Sequence, residues 1–153
     1  MMKGRYMKTI IFIESDKDDA KVFQEVFNQS KTIDCKLLIE DNAEEVFQLL
    51  SNGVIEVDLL VLDMSQRKIN PHCLLKKIKD DLKEDCPYIL VMGESIAGLS
   101  VESAYREGAD CYLIKPEITS RYKEIIYHIE NYLIGKKEIP AELNLIDQHK
   151  KTA

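Results

Sequence analysis

Short unbroken apolar runs alternate along this chain with longer stretches in which apolar residues recur every three or four positions. The clearest run is Asp58-Leu59-Leu60-Val61-Leu62-Asp63-Met64, held between two acids. A run with no polar interruption does not suit a strand with one wet face; it suits a central parallel strand covered on both sides. Asp63 then stands at the carboxyl end of that strand, the edge at which open α/β sheets hold their ligands. An Asp after a strand can equally serve only to form a turn, so this segment alone leaves both readings open.

The rest of the chain repeats the pattern. Residues 9–13 form a first β-branched and aromatic run that stops at Glu14-Ser15-Asp16-Lys17-Asp18-Asp19. Ser15 or Asp16 suits the cap of a helix over about residues 17–29, whose first-turn acids favour the helix dipole. Ala20, Val22, Phe23, Val26 and Phe27 line one side of it. A second strand, 35–39, precedes a helix capped by Asp41 or Asn42, carrying Val46, Leu49 and Leu50 and ended by Asn52-Gly53. After Asp63, Pro71 opens a helix capped by Asn70 that turns Leu74, Leu75, Ile78 and Leu82 inward. Pro87 introduces a fourth strand, 88–92, followed by Gly93-Glu94-Ser95 and a helix to Gly108 with Leu99, Val101, Ala104 and Tyr105 as packing residues. A fifth strand, 111–114, is closed by Lys115-Pro116. A last helix over about 119–134 aligns Tyr122, Ile125, Ile126, Ile129 and Leu133.

Five strands alternating with five helices through short connections predict an α/β fold, a doubly wound parallel sheet with helices on both faces. Ile11, Ile13, Leu60, Leu62, Leu90 and Ile114 are its expected sheet core. Periodicity does not give the strand order. No internal repeat, G-x-x-x-x-G-K or G-x-G-x-x-G loop occurs, so a familiar nucleotide cradle is not expected.

Composition narrows the setting. The 153 residues suit one domain, placed at 1–135 with a polar tail at 136–153, and 45% hydrophobic with 31% charged residues is ordinary for a globular protein. No apolar run approaches a membrane span, and the opening segment is too short for a secretory signal, which predicts a cytoplasmic protein with no membrane contact. Cys35, Cys73, Cys86 and Cys111 form no C-x-x-C pair and are expected as free, at least partly buried thiols; with His72, His128 and His149 scattered, no zinc or His-Cys site is expected. A formal net charge of -6 with no basic patch argues against nucleic acid and leaves a protein partner as the easier fit.

The chemistry gathers at strand ends. If the first and third strands are neighbours, Glu14, Asp16 and Asp63 share one acidic pocket, and clustered carboxylates call for a hard cation such as Mg2+. Lys115 offers a fixed positive charge suited to a phosphoryl group, and an Asp carboxylate can itself carry an acyl phosphate. Each residue alone is weak, since a strand-end Lys is commonly a surface charge. Their convergence from three strand ends is the stronger signal.

These segments carry a resemblance. From Lys8 to Leu133 the chain resembles a receiver domain of a two-component response regulator. The motifs are Ile10-Ile11-Phe12-Ile13-Glu14-Ser15-Asp16, Asp58-Leu59-Leu60-Val61-Leu62-Asp63, Pro87-Tyr88-Ile89-Leu90-Val91-Met92, and Gly108-Ala109-Asp110-Cys111-Tyr112-Leu113-Ile114-Lys115-Pro116. The resemblance implies a flavodoxin-like sheet of order 2-1-3-4-5. It implies Asp63 as phosphoacceptor, Glu14 in the acidic pair, Lys115 on the phosphoryl group and Tyr112 at the switch position. It also implies Mg2+ as cofactor, with self-phosphorylation and autodephosphorylation rather than ordinary turnover. The implied partners are a sensor histidine kinase or phosphotransfer protein as donor, a downstream protein target, and a second copy of the chain.

The chain departs from the family pattern at defined points. Ser15 replaces the Asp that ligates the metal, leaving Asp16 to reach the cation with Glu14 and Asp63 and predicting weak Mg2+ binding. Met92 replaces the switch Thr or Ser and has no hydrogen-bond donor. Arg67 and Pro71 replace the Pro and Gly of the following loop. Two functions follow: a single-domain regulator phosphorylated on Asp63 and signalling by contact, or a degenerate pseudo-receiver acting as a phosphorylation-independent interaction module. No DNA-binding output domain is expected, Lys136, Lys137, Lys150 and Lys151 belong to a solvated tail, and the contact surface is expected around the fourth helix, fifth strand and last helix with Tyr105, Tyr122, Tyr127 and Tyr132.

Overall fold

Alternating side-chain direction along each apolar run divides the strand residues between two cores, one on each face of the sheet. The computed structural model describes residues 7–65, 70–94, 98–135 and 138–139, the side chains of 98–100 excepted. Its elements are β1 (Lys8–Ile13), α1 (Lys17–Ser30), β2 (Cys35–Glu40), α2 (Ala43–Asn52), β3 (Leu59–Asp63), α3 (Pro71–Leu82) with a single 3-10 turn at Lys83–Asp85, β4 (Tyr88–Gly93), α4 (Gly98–Glu107), β5 (Cys111–Ile114) and α5 (Thr119–Leu133). The five strands pair in parallel in the order β2-β1-β3-β4-β5. This is the flavodoxin-like order, and β1 and β3, whose ends carry Glu14 and Asp63, are neighbours.

On one face Ile10, Phe12, Leu59, Val61, Leu90, Met92 and Leu113 pack with Phe23 and Phe27 of α1 and Tyr122, Ile125 and Ile129 of α5. On the other, Ile11, Ile13, Leu60, Leu62, Ile89, Val91 and Tyr112 pack with Val46 of α2, Leu74, Leu75 and Ile78 of α3 and Ala104 of α4. The expected core strand residues are buried except Ile114, half-buried where β5 ends at the sheet edge. In α2 only Val46 is buried; Leu49 and Leu50 remain half-buried.

Caps set where the helices begin. Of the alternatives the sequence leaves open, Asp16 caps α1, its Oδ1 accepting from the amides of Asp18 and Asp19, and Asn42 caps α2. Asn70 caps α3 by accepting from Cys73 N, with Pro71 in the first turn. The turn before β5 is pinned to β4 twice, because Ile89 N donates to Asp110 Oδ2 at 2.8 Å and Asp110 N donates to Ile89 O at 2.9 Å.

All four cysteines are free. Cys35 and Cys111 are buried and Cys86 half-buried, but Cys73 is exposed because it sits in the first turn of α3 on the side away from the sheet. Ile139 lies beyond the expected domain edge at 135, yet is only 5% exposed and belongs to the α1/α5 core. Arg67, the Leu99 side chain, His149, Lys136, Lys137, Lys150 and Lys151 lie outside the described residues. Among the described residues no helix is long and apolar enough to cross a membrane.

Candidate functional site

Parallel pairing places the carboxyl ends of β1, β3, β4 and β5 along one edge. Two backbone bonds extend the ladder past the strands and fix the flanking residues: Met64 N donates to Met92 O and Lys115 N to Gly93 O, both at 2.8 Å. Glu14 follows β1, Asp63 ends β3 and Lys115 follows β5. The Lys115 ammonium sits among three carboxylates, 2.7 Å from Glu14 Oε1, 2.7 Å from Asp19 Oδ2 and 2.6 Å from Asp63 Oδ2. The other Asp63 oxygen, Oδ1, accepts from Ser65 N at 2.9 Å and from Ser65 Oγ at 2.6 Å.

Two of these carboxylates are cut off from water. The side chains of Glu14 and Asp63 are each 1% exposed, whereas that of Asp19 is 42% exposed. Their electrostatics diverge accordingly. Burial, with a hydrogen bond to Asp63, raises Glu14 to about 7 even though Lys115 opposes the shift. Burial acts on Asp63 in the same sense, but hydrogen bonds from Glu14, Lys115 and Ser65 outweigh it and hold its carboxyl below the usual range. For Lys115, burial favours the neutral amine, and the hydrogen bonds to Asp19, Asp63 and Glu14 overcome that and raise its affinity for the proton. Asp63 is thus ionised next to a permanent cation, with Glu14 as the proton-holding neighbour. Such an arrangement can use a carboxylate as a nucleophile and stabilise the anion that forms on it.

Three-dimensional comparison places this edge in context. Among solved structures, the phosphorylated cyanobacterial phytochrome response regulator RcpA superimposes with a TM-score of 0.73 at 21% identity, over 88% of this chain and 99% of that one. The Mn(2+)-bound form of response regulator Rcp1 matches with 0.71 at 24% identity, again over 88% and 99%. The Saccharomyces cerevisiae Ssk1 receiver domain, solved with the histidine phosphotransfer protein Ypd1, matches with 0.65 at 15% identity over 80% of this chain and 88% of that one. The fold is that of a response regulator receiver domain. No family model and no curated protein matches the chain by sequence.

Within the receiver fold, three of the six residues singled out from sequence meet directly: Glu14, Asp63 and Lys115. Asp16 is displaced from that group. Its Oδ1 is committed to the amides opening α1, and only its backbone N approaches Glu14 Oε2, at 3.4 Å. Asp19 takes the third place around Lys115, one helical turn after the cap, where its side chain returns toward the strand ends. The sequence marks Asp19 only as an acid in a helix first turn, and nothing local reveals a partner 96 residues away. Met92 pairs in register with Asp63 and is fully buried on the α1/α5 face. Tyr112 belongs to the opposite core, 6% exposed, with its phenol against Gly93 and its backbone N donating to the Tyr105 hydroxyl. His72 of α3 pairs with Glu107 at the end of α4.

A divalent cation fits this donor set only narrowly. Among the described residues no group of three His, Cys, Asp or Glu side chains is disposed to hold one. Mg2+ needs as few as one or two carboxylates because it keeps most of its water. Glu14 and Asp63 would supply them, and the ion would neutralise charge on an incoming phosphoryl group. Ser15, half-buried between them in sequence, offers only a neutral hydroxyl.

Proposed function

We propose that this chain acts as a response regulator receiver, its core closed by Ile139 beyond the last helix, in which Asp63 accepts a phosphoryl group in a phosphorelay. The observation that carries the reading is the ionised, buried Asp63 carboxylate at the end of β3 with Lys115 Nζ at 2.6 Å. In the transfer, an Asp63 oxygen forms a bond to phosphorus while the donor's phosphorus–nitrogen bond breaks, and the leaving imidazole keeps the electron pair and takes a proton from water. Lys115 balances the charge on the transferred group. A sensor histidine kinase or phosphotransfer protein is the proposed donor, in keeping with the Ssk1 receiver solved with Ypd1. Phosphorylated RcpA and Mn(2+)-bound Rcp1, which share the fold, support the same chemistry and a divalent ion beside it; the weak hold expected on that ion here rests on Ser15. The cytoplasm is the proposed compartment, and output passes by contact, to a target protein or a second copy, through the surface formed by α4, β5 and α5.

Incubation with a phosphorylated phosphotransfer protein or acetyl phosphate in excess Mg2+ tests this directly. Wild type should incorporate phosphate and Asp63→Asn should not; equal incorporation by the two would remove Asp63 from the role. One observation favours the alternative of a phosphorylation-independent interaction module. Met92, with no donor to offer, and inward-packed Tyr112 lie in opposite cores, so the family's switch pair has no direct side-chain link here. Ser15→Asp with Met92→Thr should tighten Mg2+ binding and strengthen the phosphorylation response. A wild type that already equals the double variant would count against weak coupling.

A further inference from the structure

Lys115 has three N–H donors and no others. Each is within hydrogen-bonding distance of a different carboxylate, Glu14, Asp19 or Asp63, at 2.6 to 2.7 Å. The ammonium therefore has no donor left for an incoming phosphoryl oxygen. Asp63 is also closed off, with a side chain only 1% exposed. One of the three partners has to withdraw before a phosphoryl group can be bound.

The three are not equivalent. Asp63 is the acceptor itself and stays bonded to the group. Glu14, 1% exposed, would leave Lys115 only to remain buried with its charge or proton unanswered. Asp19, at 42% exposure, sits on the first turn of α1 and can rotate into water, where losing one exposed ion pair costs little. Of the three it is the one open to water, and so the one most easily replaced.

We infer that Asp19 is a place-holder for the phosphoryl group: in the resting protein its carboxylate occupies the Lys115 donor that a phosphoryl oxygen takes when Asp63 is modified. Asp19 is a positioning residue and acts through Lys115. Its negative charge opposes the arriving anion and slows entry, and after transfer it competes to regain Lys115, which shortens the life of the modified state. The inference rests on the reading of Asp63 as phosphoacceptor and names a regulator of that same site.

Labelling by acetyl phosphate in excess Mg2+, compared across wild type, Asp19→Asn and Asp19→Glu, tests it. Asp19→Asn should label about two- to fivefold faster at low salt, the span that an exposed ion pair of up to ~1 kcal/mol allows. The advantage should shrink as salt screens the wild-type pair. Asp19→Glu, which keeps the charge, should stay near the wild-type rate, an outcome that a purely helix-stabilising role for Asp19 does not require. Equal rates for wild type and Asp19→Asn, or slower labelling of Asp19→Asn because the carboxylate serves a cation instead, would overturn the place-holder role and leave the phosphoacceptor standing. Absence of labelling in every variant, with phosphotransfer protein as well as acetyl phosphate, would overturn both.

Discussion

The phenol of Tyr112 fills the space that a β-carbon on Gly93 would occupy. Gly93 ends β4, and Tyr112 lies on neighbouring β5 with its ring in the core shared with α3 and α4. The inward position of the tyrosine therefore depends on the absence of a side chain at 93. Gly93→Ala should drive the ring out or force the strands apart, costing about 1–3 kcal/mol as overpacking does. A lower urea midpoint together with a Tyr112 ring signal moved toward solvent-exposed values would be the expected pair of results; an unchanged ring signal at full stability would contradict the packing account.

Glu14 should make the protein less stable as pH rises from mildly acidic to neutral. Its folded value of about 7 lies above the ordinary value of 4.5, so the folded state binds the extra proton between those two points. The stabilisation is complete below 4.5, declines as pH climbs through 7, and is gone above it. The span corresponds to a loss of roughly 3 kcal/mol. Asp63, held below its ordinary value of 3.8, acts in the opposite sense over a lower window, beneath that value. Glu14→Gln should flatten the urea midpoint against pH between 4.5 and 7 and raise it at pH 8; a parallel curve for wild type and variant would argue against a proton held at Glu14.

Removing the cation should have the reverse signature. Lys115→Met leaves Glu14 and Asp63 buried without their shared partner, and breaking a buried pair from one side costs about 3–5 kcal/mol. The deficit should be greatest at neutral and alkaline pH and should narrow on acidification, as protonation relieves the carboxylates. Calorimetry at pH 5 and pH 8 would read the difference.

A fourth carboxylate works purely as structure. Glu130 of α5 is 6% exposed, and its Oε2 accepts from Thr32 N at 2.6 Å, Thr32 Oγ1 at 3.0 Å and Ile33 N at 3.1 Å. It ties the connection between α1 and β2 to the last helix. Glu130→Ala should strand those donors and cost about 1–3 kcal/mol, with faster hydrogen exchange at the Thr32 and Ile33 amides as the local readout. Protection at those two amides equal to wild type would show that the clamp is dispensable.

How legible this protein is in its sequence depends on the range of the interaction. The strands were readable because Leu59 to Leu62 and Ile10 to Ile13 are buried on both faces, which removes polar interruptions from the chain. Asp63 and Lys115 could be placed because strand ends in such sheets converge. Local competition was only partly readable: Asp16 satisfies the α1 amides, which keeps its carboxylate away from the acidic group where the sequence put it. Asp19 and Glu130 escaped because their partners lie far along the chain and their own positions look like solvated helix faces. The turn at Lys83–Asp85, where Lys83 adopts a φ of 48°, is too short to announce itself by any period.

Ile139 changes what counts as the smallest piece able to fold. It contributes a side chain to the core between α1 and α5 from beyond the last helix, and burying an isoleucine is worth about 1.5–3 kcal/mol. Against a typical net stability of about 5–15 kcal/mol, a dissection placed after Gly135 rather than after Ile139 would discard a sizeable share of the folding free energy. Fragments and fusions cut after 139 should behave as the intact domain does, whereas those cut at the helix end should melt earlier and expose an oily seam that invites self-association.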